Sequence, residues 1–208
     1  EVFRGPQGSR TGANALAGLI YIKTKDPTNE FEGTSEITLG DYGTQNLGIA
    51  FGGPMKNKKL KYRLVLRTDY ADGFRKNIFL NKSDTSKKDE LTLRYKLNWD
   101  FNETTDINFI ISKVDMDDPA DIWTIDGSLN TLSDRPGMDS QETNSYGIKI
   151  TKNFINFDLQ SFTSSTKTDV IFSYDADWGN PDSHFPYIYD YFSETLRNRD
   201  TFSQEIRI

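Results

Sequence analysis

Apolar and polar residues alternate along most of this chain, and this period of two limits its fold more than any other feature. The clearest case runs from Leu91 to Trp99, where Leu, Leu, Tyr, Leu and Trp alternate with Thr, Arg, Lys and Asn. Side chains of a β-strand point to opposite faces in turn, so this segment should form a strand with one apolar face. The same alternation recurs at Ile37 and Leu39; Leu47, Ile49 and Phe51; Tyr62, Leu64 and Leu66; Ile107, Phe109 and Ile111; Tyr146, Ile148 and Ile150; Phe157 and Leu159; and Phe202, Ile206 and Ile208. The sequence therefore predicts an all-β chain with about eight strands.

Two fold classes fit such strands, a soluble β-sandwich and a transmembrane β-barrel. Hydrophobic residues make up only 35% of the chain, yet aromatic residues make up 13%, and a disordered chain would lack them. Arg94 and Lys96 lie within a strand of about ten residues that also carries Tyr95 and Trp99. A charged face combined with an apolar face edged by aromatics favours the membrane barrel.

The connections between the predicted strands separate these two classes better. The short connections are 52–59, 100–105 and 152–155, and the long ones are 73–87, 117–141 and 175–200. Short and long connections therefore alternate along the chain. Because outer-membrane barrels have short periplasmic turns and long extracellular loops, the rhythm predicts an antiparallel transmembrane β-barrel.

Composition argues against several functions. The chain has no cysteine, which excludes disulfides and cysteine-based metal or nucleophilic sites. Its net charge of -6 leaves no basic face to neutralise phosphates, so we expect no nucleic-acid partner. His184 is the single histidine, and the sequence indicates no partners that would make it a metal or catalytic site. We expect no enzymatic activity, no cofactor and no metal site.

The most specific motif lies in the first 27 residues. It reads Glu1-Val2-Phe3-Arg4-Gly5-Pro6-Gln7-Gly8, then Gly12-Ala13-Asn14-Ala15-Leu16-Ala17-Gly18, then Leu19-Ile20-Tyr21-Ile22-Lys23-Thr24-Lys25-Asp26-Pro27. This stretch resembles the closing part of the plug domain of TonB-dependent outer-membrane receptors. It departs from the family pattern at Ser9-Arg10-Thr11, and at Tyr21, where asparagine is common. Neither departure removes a glycine of the motif.

Weaker resemblances to the same family continue downstream. They comprise a first barrel strand and turn in residues 33–43, a first periplasmic turn at Phe51-Gly52-Gly53-Pro54, a first large external loop from Asp72 to Asn77, and a mid-barrel strand from Phe202 to Ile208.

The resemblance implies a domain organisation. Residues 1–28 would be the last part of an α/β plug, and residues 29–208 the first part of the barrel, with about eight of roughly 22 strands. The chain would then be a fragment that starts within the plug and stops inside a strand. The segment that engages the energy-transducing partner TonB should precede Glu1.

The resemblance also implies a function. Receptors of this family take up a scarce nutrient complex, most commonly a ferric siderophore, across the bacterial outer membrane. Ligand binds at the external face, outer-membrane lipids surround the barrel, and TonB pulls on the plug. The open alternative is a self-contained small outer-membrane barrel acting as a binding protein or an enzyme, because eight strands can close a small barrel.

Site residues follow from the same resemblance. Glu1 and Arg4 would form a plug lock in which Arg4 contacts acidic residues of the inner barrel wall; the alternative is that Arg4 is an ordinary solvated arginine. The plug glycine framework would consist of Gly5, Gly8, Gly12 and Gly18. Glycine suits a plug packed tightly in a barrel because it allows backbone approaches that a side chain would block.

The last long connection is unusually aromatic between His184 and Phe192. Aromatic side chains at an external mouth can stack on planar or hydrophobic ligands, but they can equally belong to an aromatic girdle at the membrane surface. The candidate ligand-contacting residues are Trp123, Trp178, His184, Tyr187, Tyr189 and Tyr191.

An acidic cluster in the preceding connection contains Asp115, Asp117, Asp118 and Asp121. Its composition resembles that of a calcium loop, but it lacks the spaced glycine and the terminal glutamate of one. We therefore expect a solvated loop.

Overall fold

The regular structure of the chain is entirely β-strand in a computed structural model that describes residues 1–6 and 17–208. Within these residues, no helix is long and apolar enough to span a bilayer. The strands are β1 Val2–Arg4, β2 Gly18–Ile20, β3 Glu32–Leu39, β4 Gln45–Pro54, β5 Leu60–Ala71, β6 Lys76–Asn77, β7 Lys88–Asn102, β8 Thr105–Pro119, β9 Asn130–Thr131, β10 Met138–Asn153, β11 Asp158–Asp175 and β12 Phe192–Arg207.

Eight of these strands form one antiparallel sheet in the order β12-β11-β10-β8-β7-β5-β4-β3. Each long strand lies beside the long strands that precede and follow it in the chain, so the sheet is a meander. This confirms the predicted number and antiparallel arrangement of the strands. Two small sheets accompany it: β1 pairs with β2 in antiparallel fashion, and β6 pairs with β9 in parallel.

The strands are longer than the expected ten or so residues: β7 and β8 have 15 each and β11 has 18. The predicted connections 117–141 and 175–200 are therefore too long. The paired strands extend into them and leave the shorter connections 120–137 and 176–191. Both faces of the added strand ends carry polar residues, so the alternation that marks a half-buried strand is absent there. The predicted turn at Phe51-Gly52-Gly53-Pro54 is also wrong, since these residues end β4 and residues 55–59 form the turn.

The two ends of the sheet differ in the length of their connections. Turns 55–59, 103–104 and 154–157 lie at one end, whereas 40–44, 72–87, 120–137 and 176–191 lie at the other. We call these the short-turn end and the long-loop end. Phe157, taken from the sequence as a strand position, lies in the last short turn, where it stacks on Phe154 at 4.6 Å between ring centroids.

The register places the alternating apolar residues on one face of the sheet. Leu97, for example, lies opposite Tyr62 on one side and Phe109 on the other. Much of this face is exposed, as shown by Phe202 at 72% exposure, and Ala120 is the single buried apolar residue among those described. Burial of apolar surface is the main force that stabilises a folded chain, so this face requires an apolar medium outside the chain.

The apolar face ends sharply toward the long loops. One row across four strands contains Ile111, Tyr146, Ser165 and Phe202, and the next row toward the long loops contains Lys113, Asn144, Lys167 and Asp200. At the short-turn end the face is edged by aromatic pairs, including Phe51 with Tyr62 and Trp99 with Phe101. A limited apolar band with an aromatic border has the character of a membrane-facing surface.

Candidate functional site

The opposite, polar face of the sheet is crossed by residues 21–31, which we call the connector because they join β2 to β3. A groove of about 610 Å³ lies between the connector and the sheet. Its walls include Thr24 and Asp26 of the connector and Lys96, Lys149 and Phe162 of the strands. The polar face is therefore the side of the sheet that receives the segment following the plug-like motif.

Lys96 attaches the connector to the polar face. Its Nζ atom donates to the Thr24 carbonyl oxygen and to Asp26 Oδ1, both at 2.8 Å. Asp26 Oδ2 also pairs with Lys23 Nζ at 3.2 Å. Partial burial raises the pKa of the Asp26 carboxyl, but the hydrogen bonds from Lys96 and Lys23 outweigh it and hold that pKa below its ordinary value.

A second attachment involves Glu32, the first residue of β3. Arg63 Nη1 donates to Glu32 Oε1 at 2.8 Å, and Lys25 Nζ of the connector donates to Glu32 Oε2 at 2.6 Å. Glu32 and Arg63 lie on either side of Gly52 of β4, in register with it. Because Gly52 has no side chain, the guanidinium can reach the carboxylate across the intervening strand.

The three longest connections at the other end of the sheet join into a single unit, which we call the loop cap (residues 72–87, 120–137 and 176–191). Asn77 is fully buried, and its Nδ2 donates to Asp121 Oδ2 at 2.9 Å and to the Ser133 carbonyl oxygen at 2.8 Å. Thr131 Oγ1 donates to the same Asp121 oxygen at 2.6 Å. Together with the parallel pairing of β6 and β9, these bonds tie the first loop to the second.

The third loop joins the cap through the second. The Asp134 amide donates to the Gly179 carbonyl oxygen at 2.9 Å, and Asn180 Nδ2 donates to the Leu132 carbonyl oxygen at 3.1 Å. Buried polar side chains that are hydrogen-bonded in this way favour one arrangement of the loops.

The predicted aromatic candidates fall into two groups in this cap. His184, Tyr189 and Tyr191 form a row, with ring centroids 5.2 Å apart for the first pair and 5.9 Å for the second. Asp177 supports this row, because its carbonyl oxygen lies 3.1 Å from His184 Nε2 and its Oδ2 accepts the Tyr191 amide at 2.8 Å.

The other candidates lie elsewhere in the cap. Trp123 packs against Tyr174 at 5.1 Å, and it lines a small cavity together with Trp178. Tyr187 is 67% exposed, and no ring contact joins it to another aromatic residue in the described ranges.

The acidic cluster differs from its prediction. Asp115, Asp117 and Asp118 lie on β8 rather than in a loop, and the alternation of the strand points Asp118 away from the other two. Asp121 does lie in a loop, but it is buried rather than solvated. Among residues 1–6 and 17–208, no group of three or more His, Asp or Glu side chains converges as a metal site.

Several residues that organise these regions were not singled out in the sequence. Lys96 was noted only as a charge on the polar face, and its connector partners lie about 70 residues away along the chain. Asn77, Thr131 and Ser133 are ordinary loop residues by type. Arg135, which pairs with Asp190 and lies over the Phe192 ring at 4.9 Å, also carries no local signal.

Comparison with known proteins supports the motif and the fold. No family model matches the chain. It is 29% identical over 155 residues to a probable TonB-dependent siderophore receptor, PirA, of Acinetobacter baumannii, covering 68% of this chain and 20% of that receptor. It is 24% identical over 147 residues to the vitamin B12 transporter BtuB of Vibrio vulnificus, covering 64% of this chain and 24% of that protein.

Among solved structures, the FpvAI–pyocin S2 complex superposes with a TM-score of 0.73 at 18% identity, covering 99% of this chain and 27% of the matched chain. The chain is thus similar in sequence to two TonB-dependent transport proteins and similar in fold to a solved receptor of that class. It spans between a fifth and a quarter of the length of the two curated relatives. These relatives are transporters or receptors rather than enzymes.

In a TonB-dependent receptor the apolar face is the outer surface of the barrel wall and the polar face lines the lumen. The plug-like start is described only in part. β1 and β2 pair so that Arg4 lies opposite Gly18, where a Cβ atom would come within 2.6 Å of the Phe3 carbonyl oxygen. Gly18 is therefore required by a close backbone approach, whereas no atom lies within 4 Å of the corresponding position at Gly5. Gly8 and Gly12 lie outside the described residues.

The predicted lock residues lie at the start of this paired segment. The Glu1 backbone nitrogen donates to the Tyr21 carbonyl oxygen at 2.9 Å, and Tyr21 donates its amide back to the Glu1 carbonyl at 2.8 Å. Arg4 is exposed and forms no ion pair with a residue in the described ranges. The lock role of Glu1 and Arg4 stays a prediction.

Proposed function

We propose that the receptor to which this chain contributes imports a ferric siderophore across the bacterial outer membrane, driven by TonB. The observation that carries this proposal is the sheet with one exposed apolar face and one polar face crossed by the connector. A membrane barrel exposes its apolar residues to lipid and its polar residues to the lumen. The relative PirA, named as a siderophore receptor, supports the substrate class.

We divide the receptor chain into residues 1–28, the end of the plug, and residues 29–208, the first part of the barrel wall. The boundary precedes β3, whose first residue is Glu32. Because turns at the short-turn end have the lengths of periplasmic turns, that end faces the periplasm and the loop cap faces the exterior. Outer-membrane lipids then cover the apolar face.

Ligand contact is proposed for His184, Tyr187, Tyr189 and Tyr191, with Trp123 and Trp178 as further members. The row of His184, Tyr189 and Tyr191 is held by Asp177 and presents aromatic rings at the long-loop end. Aromatic rings offer planar stacking surfaces to conjugated groups such as those of many iron chelates.

Growth under iron limitation tests the proposed uptake. A strain lacking the receptor should fail to grow on one or more ferric siderophores as the iron source, and the intact gene supplied in trans should restore growth. Vitamin B12 serves as the comparison substrate because one relative is named as a B12 transporter. If B12-dependent growth alone were lost, the siderophore assignment would be wrong while uptake itself would stand.

Binding by the intact receptor tests the aromatic row. Replacement of both Tyr189 and Tyr191 by alanine should weaken ferric-siderophore binding about thirtyfold, because each stacked ring contributes on the order of 1 kcal/mol. Tyr146→Ala is the matched control, since Tyr146 lies on the apolar face of β10. Equal affinity in the double variant and the control would remove the row from the ligand site.

The alternative of a self-contained small barrel has less support. An eight-stranded barrel must pair its first and last strands. In the described part of the chain, β3 and β12 are the two edges of an open sheet and share no ladder.

A further inference from the structure

Two cations lie directly opposite each other on the lumenal face of the receptor wall. Arg63 of β5 is the register partner of Lys96 of β7. Their side chains are largely covered, with 11% and 14% exposure. Like charges at directly opposed positions destabilise an antiparallel pair, and charges removed from water need partners. This arrangement therefore requires compensating anions.

Both anions come from one short stretch at the junction of plug and barrel. Asp26 of the connector forms an ion pair with Lys96, and Glu32 at the start of β3 forms one with Arg63. Each carboxylate also holds a lysine of the connector, Lys23 in the first case and Lys25 in the second. Lys96 additionally binds the Thr24 carbonyl oxygen, so it fixes the connector backbone as well as a side chain.

These contacts attach the connector to the eight-stranded sheet before the chain enters its first strand pairing, that of β3 with β4. In the described structure, no backbone–backbone hydrogen bond joins residues 22–31 to the eight-stranded sheet, which the chain enters at Glu32. A force that travels along the chain from the plug meets Lys96 and its partners before it reaches β3. The side-chain contacts are therefore the first attachment to the wall.

We propose that Lys25, Asp26, Glu32, Arg63 and Lys96 form a clamp that holds the connector against the barrel wall while the plug is pulled during transport. The proposal rests on the proposed TonB-driven function. The clamp residues are positioning residues: they fix where plug movement stops and do not contact the ligand. The clamp keeps residues 24–26 on the wall when the chain before them is displaced.

Limited trypsin digestion of the full-length receptor tests the resting clamp without any need for transport. In Lys96→Gln, cleavage after Lys23 and Lys25 of the connector should be about tenfold faster than in the parent protein, because a charged hydrogen bond contributes roughly 1.5 kcal/mol. Lys96→Arg, which keeps the charge and the donors, should retain most of the protection. Lys149→Gln is the matched control, since Lys149 lines the same groove and forms no ion pair with a described residue.

A cysteine introduced at Thr24 tests the clamp under load. The 208 residues of this chain contain no cysteine, and the receptor without Thr24→Cys measures the background labelling. In energised cells supplied with ferric siderophore, a periplasmic thiol reagent should label Thr24→Cys at least fivefold faster when combined with Lys96→Gln than when combined with Lys149→Gln. In cells that lack TonB, the difference should fall to the smaller value set by the resting receptor.

The outcomes separate the clamp from the function on which it rests. If the parent receptor supports siderophore uptake but both assays give the same rates for Lys96→Gln and Lys149→Gln, the clamp is refuted and the function stands. If the parent receptor supports no uptake while Lys96→Gln still accelerates cleavage of the connector, the contacts stand and their role in transport fails.

Discussion

Asn77 is fully buried in the loop cap, as is Thr131, and its contacts give a direct prediction. It donates to Asp121 and to the Ser133 carbonyl, and its Oδ1 accepts the Leu80 amide at 2.8 Å. Asn77→Ala removes the side-chain partner of the Ser133 carbonyl and of the Leu80 amide and leaves Asp121 Oδ2 with Thr131 alone, which should cost about 2–3 kcal/mol. Limited proteolysis of the intact receptor should then cut within residues 72–87 and 120–137 at least ten times faster.

The matched control is Asn130→Ala. Asn130 belongs to the same two-stranded pair, opposite Lys76, but its side chain is exposed. Cleavage of the control should stay at the parental rate. Equal cleavage rates in the two variants would mean that the parallel backbone pairing, and not the Asn77 side chain, holds the two loops together.

Asp26 gives a prediction about pH. Its pKa in the folded receptor lies below the ordinary 3.8. A carboxyl with a lowered folded-state pKa contributes stability above its unfolded-state pKa and loses it as the pH falls through the folded value. Thermal unfolding of the detergent-solubilised receptor should therefore show Asp26→Asn less stable than the parent at pH 7, with the difference shrinking as the pH falls below about 4 and lost only below the folded-state pKa. A difference that did not shrink at all between pH 7 and about pH 3 would assign the loss to packing rather than to charge.

Sequence patterns do not reveal these particular residues. Asn77 and Asp121 lie 44 positions apart, and Lys96 lies 70 positions from Asp26. A polar residue type in a loop ordinarily indicates solvation, and only the folded chain shows which of them are buried together. Asp121 illustrates the error, because its residue type and neighbours predicted a solvated position whereas it lies in the interior of the cap.

At the scale of elements, β4 lies between β3 and β5, and side chains of these two strands pair across it. A Cβ atom at Gly52 would overlap the Tyr62 carbonyl oxygen of β5, and Glu32 and Arg63 pair across this position. Gly52→Ala should therefore shift the β4–β5 ladder and destabilise the receptor by about 1–3 kcal/mol. Gly48→Ala is the control, because its nearest neighbour, Glu36 Cβ, would lie at 3.7 Å, an ordinary contact. Thermal unfolding in detergent measures both; equal midpoints would show that the ladder accommodates a side chain at position 52.

The elements themselves were largely predictable, for a reason visible in individual strands. In β7, Leu93, Tyr95, Leu97 and Trp99 each have an apolar or aromatic neighbour in register on at least one side, whereas Leu91 has none. The period-two pattern of the sequence and the pairing of the strands therefore agree over most of β7. β11 was harder to predict, because Ser161, Thr163 and Ser165 occupy its apolar face and Phe162 its polar face. Small polar residues between Tyr146 and Phe202 weaken the periodic signal without breaking the ladder.

At the scale of the whole molecule, the loop cap shows where sequence reasoning stops. In a meander, successive connections lie at opposite ends of the sheet. The alternation of short and long connections therefore predicted that the large loops share one end. It could not predict that three loops share one buried network, since that depends on contacts such as Asn180 with Leu132, between connections separated by a full hairpin. The long-loop end is thus one structured unit built from segments with no common local pattern.

The assignment of the two faces gives the last prediction, from two neighbouring residues of β8. Phe109 lies on the apolar face, in register with Leu97 and Ile148, whereas Ile110 lies on the polar face, in register with Lys96. Both are apolar, so sequence alone treats them alike.

Phe109→Arg places a charge in the lipid, which costs about 2–4 kcal/mol near the bilayer midplane. Ile110→Arg places the same charge in a polar groove of about 610 Å³, where it can remain hydrated. The heat-resistant folded band of the receptor in outer-membrane fractions should therefore fall sharply for Phe109→Arg and stay near the parental level for Ile110→Arg. If the folded band instead fell for Ile110→Arg and stayed near the parental level for Phe109→Arg, the assignment of the two faces would be wrong. The face that carries the connector would then face the lipid.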